Sequence, residues 1–219
     1  YPQLKTFSGC SNTRVVNESK LYVRTIPFTG EGTKASPYIL YTLSDVLIVA
    51  NSINAEYDAS DTYYLVSSTV SQFNLASTPG FIGIGKEGMP FNGNIDGNFA
   101  NFVINISGEA NCVGLFGYIG PKGSVTNLSV SGSVTGGNYV GGVAGINEGQ
   151  LTNVYNTANV KGASYVGGIA GSNTGTISIG YNRGNIEASG EYAGGIAGLN
   201  SGAINDVYNG ALVLADDKI

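Results

Sequence analysis

The chain has 219 residues, of which 34 are glycine and only 11% are charged, and its formal net charge is −5. The ten Lys and Arg residues do not cluster, which argues against a nucleic-acid-binding protein. There is no histidine, so the chain lacks Ser-His and Cys-His nucleophilic pairs and the zinc motif of metalloproteases.

Residues 1–28 are interpreted as an extended N-terminal arm, because they match none of the repeats that follow. Residues 21–26 alternate well enough for one strand, which Pro27 would end. This strand belongs to no repeat, and so it could pair with another subunit. The candidate residues for such an assembly contact are Leu21, Tyr22, Val23 and Ile26.

Residues 29–112 are predicted to hold a capping helix and the irregular first coils of a β-helix. Thr42 or Ser44 can N-cap a helix that runs to about Asn54, with apolar residues along one side. Natural solenoids cover their open ends with a polar-faced element. We therefore interpret this helix as the N-terminal cap.

Residues 113–219 form four similar lines of sequence that begin at Val113, Val140, Val166 and Ala193 and are 27, 26, 27 and 27 residues long. A fixed period of this size is typical of repeat architectures. Each line contains three short apolar runs bounded by turn residues, and no line has a segment with helical spacing. The pattern predicts an all-β fold, a parallel β-helix with coils of about 27 residues. Parallel crossovers are nearly always right-handed, so we expect a right-handed solenoid.

Glycine and asparagine recur at fixed positions of each line. Glycine pairs and single glycines fit tight corners where stacked backbones approach closely. Stacked asparagines can bond the next coil at each turn. A Tyr-Asn pair recurs at one position of the last three lines, and it is interpreted either as a corner-forming ladder or as a ligand-binding stripe. Its residues are Tyr155, Asn156, Tyr181, Asn182, Tyr208 and Asn209.

The segments VGGIAGSNTGTIS and AGGIAGLNSGAIN resemble the GLUG motif, a short Gly-rich repeat. That motif is found in bacterial and archaeal adhesin-like surface proteins and in the non-catalytic part of Gram-positive zinc IgA proteases. Residues 140–209 carry the resemblance well, whereas the first repeat departs from it at Leu115-Phe116 and at Ser129. The resemblance implies the repeat architecture and a surface location, and it implies no particular activity.

Two cysteines and three sequons are candidate modification sites. Cys10 and Cys112 could form one disulfide that pins the arm to the start of the regular coils, or they could be two buried thiols. The sequons at Asn17, Asn105 and Asn127 are candidates for glycosylation if the source organism glycosylates.

Acidic residues are the remaining candidates for catalytic or metal-binding roles. Those in the repeats fall at different phases, which argues against the carboxylate cluster of a polysaccharide lyase or hydrolase. Asp96 could help to hold Ca²⁺, but a plain Asp-Gly turn explains it more simply. We expect no cofactor and no bound metal. The acidic residues of the repeats are Glu148, Glu187, Glu191, Asp206, Asp216 and Asp217.

These observations favour a non-catalytic structural and adhesive protein, secreted or at the cell surface. No apolar run is long enough to span a membrane, and the chain begins at Tyr1 as a processed product would. The last coil is expected to leave unpaired strand edges, which predicts head-to-tail association with other copies into a filament or surface layer. The alternatives are a glycan-binding or spacer module of a larger adhesin or protease and, more remotely, a polysaccharide-degrading enzyme. Accordingly, the expected partners are other copies of the chain, or glycans and proteins of the host or cell surface, with no nucleic acid.

Overall fold

A computed structural model describes residues 13–14, 24–25 and 28–216, and it shows a parallel β-solenoid of about seven coils. Two short strands, β1 (Thr13–Arg14) and β2 (Arg24–Thr25), pair with each other in antiparallel orientation. The predicted arm residues Leu21, Tyr22, Val23 and Ile26 lie outside the described residues. The predicted solenoid fold is confirmed.

The first three coils are irregular and contain the one α-helix of the described residues. Their elements are β3 (Tyr38–Leu40), α1 (Leu43–Asn54), β4 (Tyr63–Val66), β5 (Gln72–Asn74), a 3₁₀ turn (Leu75–Ser77), β6 (Asn94–Asp96) and β7 (Asn101–Ile106). The fourth coil contains β8 (Phe116–Ile119) and the long strand β9 (Ser124–Thr135).

The last three coils have four strands each. They are β10 (Asn138–Gly141), β11 (Ala144–Asn147), β12 (Gln150–Asn156) and β13 (Asn159–Gly162) in the fifth coil. In the sixth coil they are β14 (Ser164–Gly167), β15 (Ala170–Asn173), β16 (Thr176–Asn182) and β17 (Ile186–Ala188). In the seventh they are β18 (Ala193–Gly194), β19 (Ala197–Asn200), β20 (Ala203–Asn209) and β21 (Val213–Ala215).

Equivalent strands of successive coils pair in parallel and build three sheets. One sheet contains β10, β14 and β18, the second contains β8, β11, β15 and β19, and the third contains the remaining strands from β3 onward. Val140 pairs with Val166, Val166 pairs with Ala193, and Val113 is bridged to Val140. These are the first residues of the four repeat lines, so the predicted alignment of the repeats is correct.

Each of the last three coils has four strands, whereas its line of sequence shows three apolar runs, each expected to form one strand. The apolar run at 139–144 is split into β10 and β11, because the chain turns a corner at Gly142. A Cβ atom on Gly142 would lie 2.3 Å from Cγ of Asn156, so only glycine fits this corner. The second and third predicted runs lie in one sheet, where the fourth coil joins them as the single strand β9.

The helix begins and ends close to the predicted positions. Thr42 is its N-cap, and Thr42 and Asp45 form a reciprocal capping box. Four of its side chains are buried in the core, namely Val46, Val49, Ala50 and Ile53. The edge of β3 is covered as well, because Thr29 bridges Ile39 and the Phe28 ring packs 5.4 Å from that of Tyr38. Phe28, assigned from the sequence to the arm, is therefore part of the core.

The two ends of the solenoid are unequal in burial. Ile169 and Ile177 of the sixth coil have no exposed surface. Their equivalents in the seventh coil, Ile196 and Ile204, are only partly buried. In the described residues, the core is thus covered at the first coil and open at the last.

Ile169→Asp is expected to unfold the repeats on both sides of the sixth coil, because it buries a carboxylate among apolar side chains. We expect a loss of more than about 4 kcal/mol, or a fall in Tm of about 10 °C or more, measured by circular dichroism. Ile179→Asp is the matched control, since Ile179 lies in the same coil and is half exposed. A shift of one or two degrees for Ile169→Asp would show that the register is wrong.

Ile179→Asn is expected to stabilise the protein. Ile179 has a φ of +54°, which is strained for a β-branched residue, and the equivalent positions hold Asn127, Asn153 and Asp206. Asparagine tolerates this conformation, so we expect a gain of about 1 kcal/mol, or about 2–4 °C in Tm. Ile179→Val keeps the branched side chain and should give no gain; an equal rise for both variants contradicts the explanation.

Candidate functional site

Two ladders of asparagine side chains run along the inside of the last three coils. Nδ2 of Asn156 donates to Oδ1 of Asn182 at 2.8 Å, and Nδ2 of Asn182 donates to Oδ1 of Asn209 at 2.8 Å. The second ladder joins Asn147, Asn173 and Asn200 through bonds of 2.7 Å in the same direction. Each ladder therefore has a polarity, because every coil donates to the coil that follows it.

The asparagines are placed where the chain turns a corner and its carbonyl groups need partners. Nδ2 of Asn182 also donates to the carbonyl of Gly184 at 2.9 Å, and Oδ1 accepts from the Gly184 amide. Asn147 is the first residue of the second ladder. Its Oδ1 is buried without a hydrogen-bond partner in the described part of the chain, and this lowers the free energy of unfolding. The fourth coil offers Ile119 at that register.

Two columns of tyrosine rings run along the outside of the same coils. Tyr155 and Tyr181 have ring centroids 4.6 Å apart, and Tyr208 follows at 5.4 Å. Arg183 adds a cation–π contact, with its guanidinium carbon 5.0 Å from the centre of the Tyr181 ring. Tyr181, the middle ring, therefore has an aromatic neighbour on each side.

The second column contains Tyr139, Tyr165 and Tyr192, with centroid distances of 4.7 and 4.8 Å and nearly parallel rings. Each of the three has a φ between +58° and +66°, a conformation that is costly for a tyrosine. Sequence reasoning did not single out this column. The available signal was a tyrosine immediately before the first residue of the second, third and fourth lines.

The tyrosines and asparagines of the predicted stripe lie on opposite faces of the third sheet. Asn156 and Asn182 are fully buried, whereas Tyr155 and Tyr181 lie on the outer face. The two buried asparagines therefore act as a corner ladder. Tyr208 and Asn209 of the seventh coil are both exposed.

Cys112 occupies the position of the second tyrosine column in the fourth coil, with a φ of +58°. Burial, and then the nearby carboxylate of Glu87, raise the pKa of the Cys112 thiol. Cys10 lies outside the described residues, so the disulfide between Cys10 and Cys112 stays a prediction. A cleft of about 420 Å³ adjoins Cys112, and Phe81, Ile106 and Val113 contribute to its apolar lining.

The sequons differ in exposure. Asn105 is exposed, and its Oδ1 accepts from Ser133 at 2.7 Å. Asn127 is partly buried and donates from Nδ2 to Asp96 at 3.0 Å. Asn17 lies outside the described residues. Glycosylation at the three positions stays a prediction.

The acidic side chains of the repeats have separate neighbours. Glu148 accepts from the Tyr118 hydroxyl at 2.8 Å, and burial together with this bond raises the pKa of Tyr118 to about 12. Glu187 pairs with Lys161 on the exposed surface. Asp96 accepts from the Asn98 amide at 2.9 Å in an Asx turn. Across residues 28–216, no three acidic or cysteine side chains are close enough to share a metal ion.

Asn182→Asp is expected to destabilise the protein by at least about 3 kcal/mol at pH 7, because a buried carboxylate would replace a donor to two oxygens. Burial raises the folded-state pKa of such an aspartate above its usual ~3.9, so the loss should shrink as the pH falls toward 4. Urea unfolding at pH 4 and pH 7 measures this difference. Asn209→Asp, at the exposed end of the same ladder, is the control, and an equal loss for both variants contradicts a role for burial.

No family model matches the chain, so membership of the GLUG family stays a prediction. The sequence is 35% identical to halomucin of Haloquadratum walsbyi over 132 residues, which cover 57% of this chain and 1% of halomucin. It is 36% identical over 107 residues to a protein of Evansella cellulosilytica provisionally named a Gly-rich membrane protein, covering 47% of this chain and 12% of that one. The chain thus spans a small part of both relatives.

A solved structure from Bacteroides ovatus, provisionally assigned as an immunoglobulin A1 protease, resembles the chain with a TM-score of 0.62 and 19% identity. The match covers 86% of this chain and 70% of the other. At this identity the likeness supports the fold alone. No helix in the described residues is long and apolar enough to cross a membrane. Together, the comparisons are consistent with a repeat module of the kind found in large surface proteins.

Proposed function

We propose that this chain is a non-catalytic structural module of an extracellular or cell-surface protein. The observation that carries the proposal is that its coils are joined by continuous strand pairing, a shared apolar core and asparagine ladders, and so form one stacked unit. The backbone edge of a coil is also a surface to which another chain can add a strand, which would let such a module act by end-on contact.

One form of this function is head-to-tail self-association into a filament or surface layer. Phe28 and Thr29 already cover the edge of the first coil. A second copy would therefore have to contribute residues 1–27 to the open coil of its neighbour. Such a contact joins two different surfaces, and it propagates along a line unless its rotation closes a ring.

The second form is a spacer in a much larger surface protein. The length of both relatives favours it, since the matched regions make up only 1% and 12% of them. Glycan binding is a possible addition to this role, and a glycan array with the whole chain tests it. Binding to no glycan would remove that addition and leave the spacer role in place.

A polysaccharide-degrading enzyme is less well supported. Such an enzyme needs several carboxylates on one face of neighbouring coils. Glu148 and Glu187 instead have separate partners, Tyr118 and Lys161. Release of reducing sugar from acidic or neutral polysaccharides would overturn the non-catalytic assignment.

Sedimentation velocity over a hundredfold range of concentration tests the self-associating form. We expect the intact chain to form species that grow with concentration, and we expect deletion of residues 1–27 to leave a folded monomer. Val207→Lys should also abolish association, because it places a charge at the open end. Leu214→Lys, on the outward face of β21, is the matched control and should associate normally.

Circular dichroism distinguishes loss of association from loss of folding in these variants. A chain that stays monomeric at the highest concentration, with the open coil covered by its own residues, contradicts head-to-tail association. The spacer form would then remain as the structural role.

A further inference from the structure

The outer face of the third sheet carries a groove at the second, third and fourth coils. Its floor consists of partly exposed side chains that alternate along β4, β6 and β9 with residues buried in the core. Strand pairing arranges these side chains in two columns. They are Tyr63, Asn94 and Ser124 in the first column and Leu65, Asp96 and Thr126 in the second. The groove has a volume of about 440 Å³, which is within the range of small-molecule sites.

One wall of the groove is the short loop of residues 30–36, which precedes β3. The Tyr63 amide donates to the Gly32 carbonyl at 2.9 Å, and this bond holds the loop beside the floor. Lys34 and Pro37 line this wall. Both the wall and the floor are therefore fixed by backbone hydrogen bonds, and a ligand would not have to order them.

The carboxylate of Asp96 is held in one orientation on the floor. Its Oδ1 accepts from the Asn98 amide at 2.9 Å and from Nδ2 of Asn127 at 3.0 Å. Its Oδ2 accepts no hydrogen bond from the described residues. Because a carboxylate oxygen can accept two hydrogen bonds, Asp96 offers an oriented acceptor to a ligand in the groove.

A third asparagine ladder, on the outer face of the sheet, supports this orientation. Nδ2 of Asn153 donates to Oδ1 of Asn127 at 2.7 Å, which leaves Nδ2 of Asn127 directed at Asp96. Each of these bonds joins a coil to the coil before it, whereas the two inner ladders donate to the coil that follows. In the sixth coil, Ile179 stands in place of the asparagine. This ladder is therefore confined to the coils beside the groove, and it ends on the Asp96 carboxylate.

The groove combines the side chains that a sugar requires. A sugar ring has C–H groups on its faces and hydroxyl groups around its edge. Tyr63 and Leu65 offer apolar contact, whereas Asp96 and Ser124 offer hydrogen bonds. Lys34 and Asp96, the charged residues among the described lining, have opposite charges. The groove thus carries no net charge, which favours a neutral sugar over a uronate or a sialic acid.

We propose that this groove binds a short stretch of a neutral polysaccharide. Adjacent hydroxyl groups of one sugar donate to Oδ2 of Asp96, and a face of the sugar contacts Tyr63. The inference rests on the proposed function, because it gives the glycan-binding addition to the spacer role a site and a sugar class.

A glycan array probed with the full chain is the first measurement. The array carries neutral hexose oligosaccharides, uronate oligosaccharides and sialylated oligosaccharides, and we expect only the neutral ones to retain the chain. The neutral oligosaccharide retained most strongly is then titrated into the natural chain and its variants by isothermal titration calorimetry. Asp96→Asn should weaken binding at least about tenfold, because it replaces an acceptor of two hydroxyl groups with a donor. The Oδ1 atom of the new asparagine still accepts from Asn98 and Asn127.

Asp206→Asn is the matched control for this variant. It makes the same change in charge at an exposed position of the same sheet in the seventh coil, and it should bind as the natural chain does. Tyr63→Ala should weaken binding about fivefold and Tyr63→Phe much less, since phenylalanine keeps the ring. Circular dichroism checks that each variant is folded.

Three outcomes would overturn the proposal. They are retention of no neutral oligosaccharide, stronger binding of uronate or sialylated oligosaccharides, and equal binding by Asp96→Asn and the natural chain. None of these outcomes affects the proposed structural role, which does not need a sugar. Cleavage of the bound oligosaccharide, measured as released reducing sugar, would instead overturn the non-catalytic assignment.

Discussion

Each coil of this molecule is held in place by the hydrogen bonds that its strands make to the coils above and below. A coil of 26 or 27 residues has almost no backbone partners within itself, since its strands pair only with their equivalents in neighbouring coils. The same constraint explains the side chains at the corners. Carbonyls that the turning chain leaves unpaired are satisfied by an asparagine, and the amide of that asparagine then joins one coil to the next.

Close contact at the corners also explains why the glycine and asparagine positions change together from one coil to another. Where the corner holds an asparagine, the second glycine of the Gly-Gly pair is needed, because a Cβ on Gly168 would lie 2.3 Å from Cγ of Asn182. In the fourth coil, Val113 aligns with Val140 and Phe116 with Ala144, so the single residue Leu115 takes the place of Gly142 and Val143. Val130 stands at the position of Asn156, and both Leu115 and Val130 are fully buried. The departure of the first repeat from the motif is therefore a consistent apolar corner.

Much of this fold could be predicted from the sequence, because aligning the repeats with one another gives the register in which their strands pair. The alignment that begins at Val113, Val140, Val166 and Ala193 is the pairing that the structure shows. The N-cap was predicted to be Thr42 or Ser44, because capping is a local feature, and the structure shows that it is Thr42. The fourth strand of each of the last three coils and the burial of Phe28 were missed, because both depend on contacts between residues distant in sequence. The positive φ of Tyr139, Tyr165 and Tyr192 leaves no mark in the composition of the repeat.

The direction of the strand pairing has a mechanical meaning. The hydrogen bonds between coils lie along the axis of the solenoid. A force that pulls its two ends apart therefore acts along these bonds at every junction between coils. A coil that detaches turns a rise of about 4.8 Å along the axis into about 90 Å of extended chain. A tethered module of this design would lengthen in steps under load, and its folded neighbours would stay intact while it did so.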